Sequence, residues 1–236
     1  MKFSVGKDNV MLIKAKINAD PNMKNVDPAL QGYNFFYYIT GQPASGKSNL
    51  IYNLLTQKNC YKKKFDKIYL FCPSTTLAYP IDEDCIFDDF DEEKLDVCLH
   101  DSENIGLDVL FIFDDVIASL KKRNSQAIRK LLFNRRHVFH DEENEDLGSC
   151  SIIITSQVFC ELPLAFRKMA NGIIIFKPNM REYNTLCDEI LKFLIEKDDL
   201  RDLYEFVYKE PYSFLYVKNL NQLYKKFGKI KYISSI

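Results

Sequence analysis

Runs of consecutive apolar residues, rather than alternating ones, predict most of the strands of this chain. The clearest run covers 107–113, and it lies in the middle of the sequence. The other runs cover 33–40, 66–72, 151–157, 172–176 and 211–217. Strands that are apolar on both sides are typical of a parallel sheet buried between two layers of helices.

Segments with apolar residues three and four positions apart predict helices between these strands. The predicted helices cover 49–57, 91–100, 125–133, 182–195 and 199–208, with short strands at 86–87 and within 9–17. Because strands alternate with helices, the predicted fold class is α/β, a three-layer arrangement with a mostly parallel central sheet covered by helices on both faces. The length of 236 residues suits a single domain, 1–236.

The stretch from Gly41 to Ser48 fits the phosphate-loop pattern G-x-x-x-x-G-K-[ST] and lies between a predicted strand and a predicted helix. Gly41 and Gly46 let the backbone curl until several N–H groups face one phosphate chain, and the helix N-terminus adds a partial positive charge. Lys47 can reach the β- and γ-phosphates, and the Ser48 hydroxyl can ligate Mg²⁺. The predicted nucleotide-binding residues are Gly41, Gln42, Pro43, Ala44, Ser45, Gly46, Lys47, Ser48 and Asn49. The alternative is a Gly/Ser/Pro turn followed by an ordinary helix.

Polar residues at the ends of two other strands are candidates for chemistry, because parallel strands bring their C-terminal ends to the edge that carries the phosphate loop. The run 110–113 leads into Asp114 and Asp115, which is the form of a Walker B strand. Asp114 would hold Mg²⁺, and Asp115 would orient the attacking water or accept its proton. Gln157 can hydrogen-bond both that water and a γ-phosphate oxygen. The alternatives are a solvated turn for the acid pair and a strand-terminating polar turn for Gln157.

A cation opposite the leaving group is often an arginine supplied by a neighbouring subunit. The candidates are Arg135, Arg136 and Arg167. The alternative for any one of them is a solvated surface arginine.

The net charge of −1 argues against a polycation that binds nucleic acid indiscriminately. Charge is segregated, however, with acidic runs at 82–96 and 141–146 and basic runs at 62–64, 121–123 and 218–231. Most such runs are solvated faces of a protein.

No apolar run approaches the length of a membrane span, and the first residues lack the apolar stretch of a signal peptide. We therefore expect a cytosol-like compartment. The seven cysteines are odd in number and irregularly spaced, so we expect free thiols in a reducing environment.

The order of the motifs resembles that of the FtsK–HerA superfamily of P-loop pumping ATPases, and within it the poxvirus-type genome-packaging ATPases of large DNA viruses and virophages. The motifs that carry the resemblance are the phosphate loop, the strand ending in Asp114-Asp115, Asn-Arg-Arg-His at 134–137, the apolar strand ending in Ser156-Gln157, and Leu-Pro-Leu-Ala-Phe-Arg at 162–167. The similarity covers about 30–195, the RecA/ASCE-like ATPase core. Residues 196–236 form a C-terminal extension of unknown role.

The resemblance implies a five-stranded parallel core with extra strands, a homo-oligomeric ring, and ATP-driven translocation of double-stranded DNA into a capsid. It implies ATP and Mg²⁺ as ligands and capsid or portal-like viral components as partners. It also implies a location in the host cytoplasm at a viral factory or in the virion. The resemblance assigns Lys47 and Ser48 to phosphate and Mg²⁺, and Asp114 to Mg²⁺. It assigns Asp115 to the attacking water and Gln157 to sensing the state of the nucleotide. Arg136 becomes the first candidate for the arginine that acts in trans, and Arg167 the second. Members of the superfamily often have Asp-Glu where this chain has Asp114-Asp115, and the shorter side chain could move the attacking water.

A translocating ring must hold the DNA backbone without reading bases, so its contacts should be rich in lysine and sensitive to salt. The acidic runs would repel DNA. We favour Lys121, Lys122 and Arg123, just beyond the Asp114-Asp115 strand end, over Lys225, Lys226, Lys229 and Lys231.

Two other classes of function remain as alternatives. A P-loop kinase would need an arginine-rich substrate lid and would lack counterparts of Asp115 and Gln157. A nucleotide-binding scaffolding protein with little turnover would share most of the binding residues. A GTPase is disfavoured because the chain contains no N-K-x-D motif.

Overall fold

The computed structural model describes residues 23–73, 79–117, 126–141, 143–144 and 147–232. The strand predicted within 9–17 lies outside these residues. The strands are β1 (Phe36–Thr40), β2 (Lys67–Phe71), β3 (Ile86–Phe87), β4 (Asp108–Phe113), β5 (Ser149–Ser156), β6 (Gly172–Phe176), β7 (Phe214–Lys218), β8 (Gln222–Lys225) and β9 (Gly228–Lys229). The α-helices are α1 (Lys47–Thr56), α2 (Glu92–His100), α3 (Gln126–Asn134), α4 (Leu164–Arg167), α5 (Met180–Glu189) and α6 (Leu200–Val207).

The described strands form one sheet in the order β3-β2-β4-β5-β1-β6-β7-β8-β9. Neighbours from β3 to β6 run parallel, and β7, β8 and β9 each run antiparallel to the strand before them in this order. The five longer parallel strands, β2, β4, β5, β1 and β6, are buried apart from the first residues of β2 and β4. Such continuous burial is why they appear as uninterrupted apolar runs in the sequence.

Helices cover both faces of the sheet. On one face, α2, α3, α5 and α6 pack buried side chains such as Leu95, Leu131 and Leu186 against Phe111 and Ile152 of the strands. On the other face, α1 packs Leu50, Ile51, Leu54 and Leu55 against alternate residues of the same strands. The predicted three-layer α/β class is confirmed.

The register of the three central strands decides which residues meet at the C-terminal edge. Phe113 of β4 pairs with Ile154 of β5, so Asp114 lies beside Thr155. Thr40 of β1 pairs with Ser156, so the loop that begins at Gly41 lies beside Gln157. The phosphate loop and the two polar strand ends are therefore neighbours because of backbone pairing alone.

One prediction in the C-terminal third needs correction. The helix predicted over 182–195 ends at Glu189, because Ile190 leaves the helical conformation (φ −133°, ψ −58°) and a 3₁₀ turn follows at Leu191–Phe193. Ile190 and Leu191 are both buried in the same cluster, and their apolar spacing fits a tightened turn as well as a continuous helix.

The described part of the C-terminal extension, 196–232, adds three strands to the main sheet. β7 pairs with β6 along its whole length, and β8 returns through a turn in which Asn219 and Leu220 have positive φ. Among the described residues, no helix is both long enough and apolar enough to cross a lipid bilayer.

Gly172→Ala is expected to lower the free energy of unfolding by about 1–3 kcal/mol, the usual cost of overpacking. A Cβ atom at Gly172 would lie 2.1 Å from two ring carbons of Tyr37, a fully buried side chain on the neighbouring strand. Denaturant unfolding measures the change. Gly228→Ala is the matched control, because its Cβ would meet only the Lys225 carbonyl oxygen at 3.5 Å. Equal losses in both variants would contradict the packing argument.

Candidate phosphate-binding and catalytic site

The geometry of the loop between β1 and α1 requires glycine at two positions, Gly41 and Gly46. Ala44 and Gly46 have left-handed backbones (φ +58° and +105°), and such residues curl a loop so that its N–H groups can face one point. At Gly41 the constraint is space, because a Cβ there would lie 2.6 Å from Phe176 Cβ and 2.7 Å from Ser45 Oγ. Gln42, Pro43 and Ala44 are exposed, and so is Asn49 in the first turn of α1.

The side chain of Lys47 is buried beside the loop. Its ammonium group donates hydrogen bonds to the carbonyl oxygens of Gly41 (2.6 Å) and Gln42 (3.2 Å). Burial is the largest effect and lowers the pKa of Lys47, while the carboxylates of Asp115, Asp114 and Glu161 offset part of this shift. Nearby carboxylates thus favour the charged form of a lysine that the loop itself desolvates.

Asp114 connects three elements of the site. Its carboxylate accepts hydrogen bonds from the Ser48 hydroxyl of α1 (Oγ to Oδ2, 3.0 Å) and from the Thr155 hydroxyl of β5 (Oγ1 to Oδ1, 2.7 Å). The residue is buried. Hydroxyl and carboxylate oxygens are the donors that Mg²⁺ prefers, so Ser48 and Asp114 fit the predicted metal role chemically.

Asp115 and Gln157 lie in direct contact. The Gln157 amide nitrogen donates to both carboxylate oxygens of Asp115, at 3.2 and 3.0 Å. Asp115 itself is exposed and has a left-handed backbone (φ +61°), which its N–H supports by donating to Thr155 Oγ1 at 2.9 Å. A backbone in this region at a strand end is a common feature of functional sites.

The sequence analysis missed three residues that hold this arrangement together. Thr155 bonds both aspartates, and Glu161 accepts from the backbone N–H groups of Gln157 (3.2 Å) and Val158 (3.3 Å). Tyr79 donates its hydroxyl to the Ser48 carbonyl oxygen at 3.3 Å. Burial, followed by the Asp114 carboxylate, raises the pKa of Tyr79 and keeps it a donor. Thr155 belongs to the polar strand end Thr-Ser-Gln, and this polarity was the only indication in the sequence that Thr155 lies at the site.

The three candidate arginines have different environments. Arg135 donates to the carbonyl oxygens of Asn34 (2.9 Å) and Leu132 (3.2 Å), which places the turn after α3 at the start of β1. That turn is at the edge of the sheet opposite to the phosphate loop, about 16 Å away along the five residues of β1. Arg136 follows in the same turn and is exposed.

The prediction that Arg167 acts in trans is at odds with its contacts, because its guanidinium is engaged within its own chain. It forms a two-pronged ion pair with Glu189 (Nη2 to Oε1 2.5 Å, Nε to Oε2 3.1 Å), donates to the Leu162 carbonyl oxygen, and lies 4.8 Å from the centre of the Phe159 ring. The side chain is only 7% exposed. These contacts give Arg167 a structural role.

Two basic clusters were predicted to contact DNA, and the structure describes only the C-terminal one. Lys121, Lys122 and Arg123 lie outside the described residues. Of the C-terminal group, Lys225 contacts Glu210 (3.2 Å) and the Phe206 ring, and Lys226 lies 3.7 Å from Glu210. Lys225 is half-buried at the end of β8, whereas Lys226 is exposed in the turn that follows it.

No family model and no curated protein matches the sequence. Solved structures do share the fold. The genome-packaging NTPase B204 of Sulfolobus turreted icosahedral virus 2, in complex with ATP-gammaS, is 17% identical with a TM-score of 0.58, and the match covers 88% of this chain and 100% of B204. Its sulfate complex is 18% identical with a TM-score of 0.59, covering 86% and 100%.

A further similar structure is B204, the DNA-packaging ATPase from Sulfolobus turreted icosahedral virus, at 17% identity and a TM-score of 0.57, covering 86% of this chain and 100% of that one. These matches confirm the fold that the motifs imply, that of a P-loop NTPase.

Arg167→Ala is expected to lower the free energy of unfolding by about 3–5 kcal/mol, because it leaves the partly buried Glu189 carboxylate without its partner. Denaturant unfolding measures the loss. Arg201→Ala is the control, since its pair with Glu205 is exposed and spans 3.8 Å, and it should cost less than about 0.5 kcal/mol. If Arg167→Ala were as stable as that control, the structural role would be wrong and the trans-acting role would regain support.

Proposed function

We propose that this protein is an ATP-hydrolysing motor that translocates double-stranded viral DNA into a capsid. The observation that carries the proposal is the convergence at one sheet edge of a phosphate loop, the Ser48–Asp114–Thr155 hydrogen bonds and the Asp115–Gln157 contact. Each part has a separate task in phosphoryl transfer, and the register of β1, β4 and β5 brings all of them together.

The loop would bind the triphosphate of ATP. The backbone N–H groups of 41–48 and the N-terminus of α1 favour negative charge there. Lys47 supplies a fixed ammonium group at the base of the loop, where its hydrogen bonds to the Gly41 and Gln42 carbonyls keep it in place. Removing that cation would therefore affect the binding of the nucleotide.

Mg²⁺ would be held by Ser48 and Asp114, whose oxygens are already 3.0 Å apart. When bound, the ion supplies positive charge that neutralises the phosphates during the reaction. Thr155 anchors the other oxygen of the Asp114 carboxylate, so this side chain would keep its orientation.

Asp115 would act on the attacking water as proton acceptor or orienting group. Its contact with the Gln157 amide fixes the carboxylate, and Glu161 fixes the backbone of Gln157 in turn. Gln157 would thereby link the catalytic carboxylate to the γ-phosphate that it senses.

Arg136 is our candidate for the arginine acting in trans. Because the turn that carries it lies at the opposite edge of the sheet, it cannot reach the loop of its own chain, and only a neighbouring subunit could receive it. A homo-oligomeric ring, which we propose on the basis of the motif resemblance, is the arrangement in which Arg136 could act.

DNA as the substrate is supported by the similar structures, which are described as genome-packaging or DNA-packaging enzymes. Capsid or portal-like components would be the further partners, at a viral factory in the host cytoplasm or in the virion. We favour Lys121, Lys122 and Arg123 as the residues that contact the phosphate backbone of the DNA. Lys225 and Lys226 have a carboxylate neighbour in Glu210, which weakens the case for the C-terminal cluster.

Replacing Lys47 with Ala is expected to abolish tight ATP binding, and Asp115→Asn is expected to keep binding while slowing hydrolysis by about 10²-fold, the usual range for lost general-base catalysis. Calorimetric titration and steady-state phosphate release measure the two effects. Wild-type turnover in Asp115→Asn would show that the acid pair is structural.

The same assay with added duplex DNA tests the substrate and separates the alternatives. We expect stimulation that is equal for different sequences and weakens as salt rises. ATP hydrolysis at a rate that duplex DNA does not change would indicate an ATPase that does not act on DNA. Binding of ATP without turnover would favour a scaffolding protein.

Mixing two inactive variants tests the trans role of Arg136. A subunit with Arg136→Ala keeps the loop and the carboxylates, and a subunit with Lys47→Ala keeps the arginine, so an intact site can form at their interface and restore activity. The contribution of such an arginine to the rate of hydrolysis reaches about 10³-fold, so the rescue should be measurable.

A mixture of Lys47→Ala and Asp115→Asn is the control, because both residues belong to the same side of the site. If neither mixture recovers and the protein elutes as a monomer with every nucleotide, the ring proposal fails.

A further inference from the structure

A cleft of about 530 Å³ opens beside the phosphate loop, on the side away from Asp114 and Gln157. The loop forms one wall through Gln42, Pro43 and Ser45, and the chain after β6 and the turn before β7 form the other. The register explains why they meet. Thr40 of β1 pairs with Ile175 of β6, and Phe176 pairs with Phe214 of β7, so the turn at 208–213 lies at the same edge as the loop. The volume is in the range of sites that bind small ligands.

Tyr212 is the most unusual residue of this turn. Its side chain is 71% exposed, and its backbone is left-handed (φ +56°), a conformation in which a bulky residue is rare. One ring carbon would lie 3.6 Å from a Cβ atom placed at Gly46, so the ring stands directly against the loop. An exposed aromatic ring held in a strained backbone beside a phosphate site suggests a ligand-binding role.

Two residues that line the same cleft have buried hydroxyl groups with no hydrogen-bond partner among the described residues. They belong to Ser213, which is 2% exposed, and to Ser45 in the loop. Buried polar groups in native proteins almost always have a partner. A polar ligand that displaces the atoms covering these oxygens would supply one.

The turn that carries these residues is firmly anchored. Tyr208 donates its hydroxyl to the Ile175 carbonyl oxygen at 3.1 Å, and the rings of Phe176 and Phe214 are 5.3 Å apart. Glu210 is paired with Lys225 of β8. The C-terminal strands thus hold a fixed surface against the loop, which reduces the ordering cost of binding a ligand there.

We propose that the turn at 208–213 binds the base and ribose of the nucleotide, with the Tyr212 ring stacked on the base and the Ser213 hydroxyl bonded to a polar atom of the base or sugar. The inference rests on the proposed function, because it takes the phosphates to occupy the adjoining loop. It gives the extension 196–236 a role in recognising the nucleoside. Since every base has an aromatic face, stacking on Tyr212 adds affinity without strict selection of one base.

The test compares the binding of MgATP with that of magnesium tripolyphosphate, which has the phosphates but neither base nor sugar. Calorimetric titration of the full chain is expected to show that Tyr212→Ala weakens ATP binding by about tenfold, within the range for loss of a base–aromatic stack, and leaves tripolyphosphate binding unchanged. Tyr212→Phe keeps the ring and should bind ATP as the wild type does. Phe193→Ala is the matched control, because Phe193 is 74% exposed and does not line the cleft.

The outcomes separate this inference from the proposal on which it rests. Unchanged ATP affinity in Tyr212→Ala, or an equal loss for ATP and tripolyphosphate, would overturn the base-binding role while leaving the phosphate site intact. A wild-type protein that bound neither ligand would overturn both proposals. A Phe193→Ala variant that lost as much ATP affinity as Tyr212→Ala would show a general effect of removing exposed rings, and would also overturn the assignment.

Discussion

The buried carboxylate of Asp114 is the group on which the site depends. A charge that is 5% exposed needs strong partners, and Asp114 finds them in hydroxyl groups from the helix after the phosphate loop and from the neighbouring strand. Satisfying this one charge ties α1 to the end of β4, and backbone pairing holds β4 beside β5. Pairing of β5 with β1 then fixes the loop itself. The positions of Lys47, Asp115 and Gln157 follow from these connections.

Most of the parallel sheet could be predicted from the sequence, because its central strands are buried on both sides and appear as unbroken apolar runs. β7 was predicted, but its antiparallel direction was not, since direction depends on the partner strand. β8 and β9 were missed because lysines dominate the stretch that contains them, although Asn219-Leu-Asn221 is a turn signal between two apolar segments. The early end of α5 was missed because apolar spacing alone does not distinguish an α-helix from a tightened turn.

The candidate site was predictable only where its residues are local to a motif. Lys47, Ser48 and Asp114 are positioned by short stretches with characteristic spacing, so the sequence identifies them. The contacts of Thr155 with both aspartates depend on strand register, and those of Glu161 depend on the fold of the chain after β5. The pair between Arg167 and Glu189 joins residues 22 positions apart, and Tyr212 reaches the loop from the other end of the chain. No local pattern carries such information.

The left-handed backbone of Asp115 has a consequence for which amino acids this position can accept. Asp and Asn adopt that conformation readily because their short polar side chains suit it, whereas a longer residue such as Glu pays about 1 kcal/mol in steric strain. Asn and Gly would satisfy the backbone but lack a carboxylate, and Glu would bring a carboxylate at a conformational cost. Asp meets both demands at this position, because it combines a carboxylate with a side chain that tolerates the left-handed backbone.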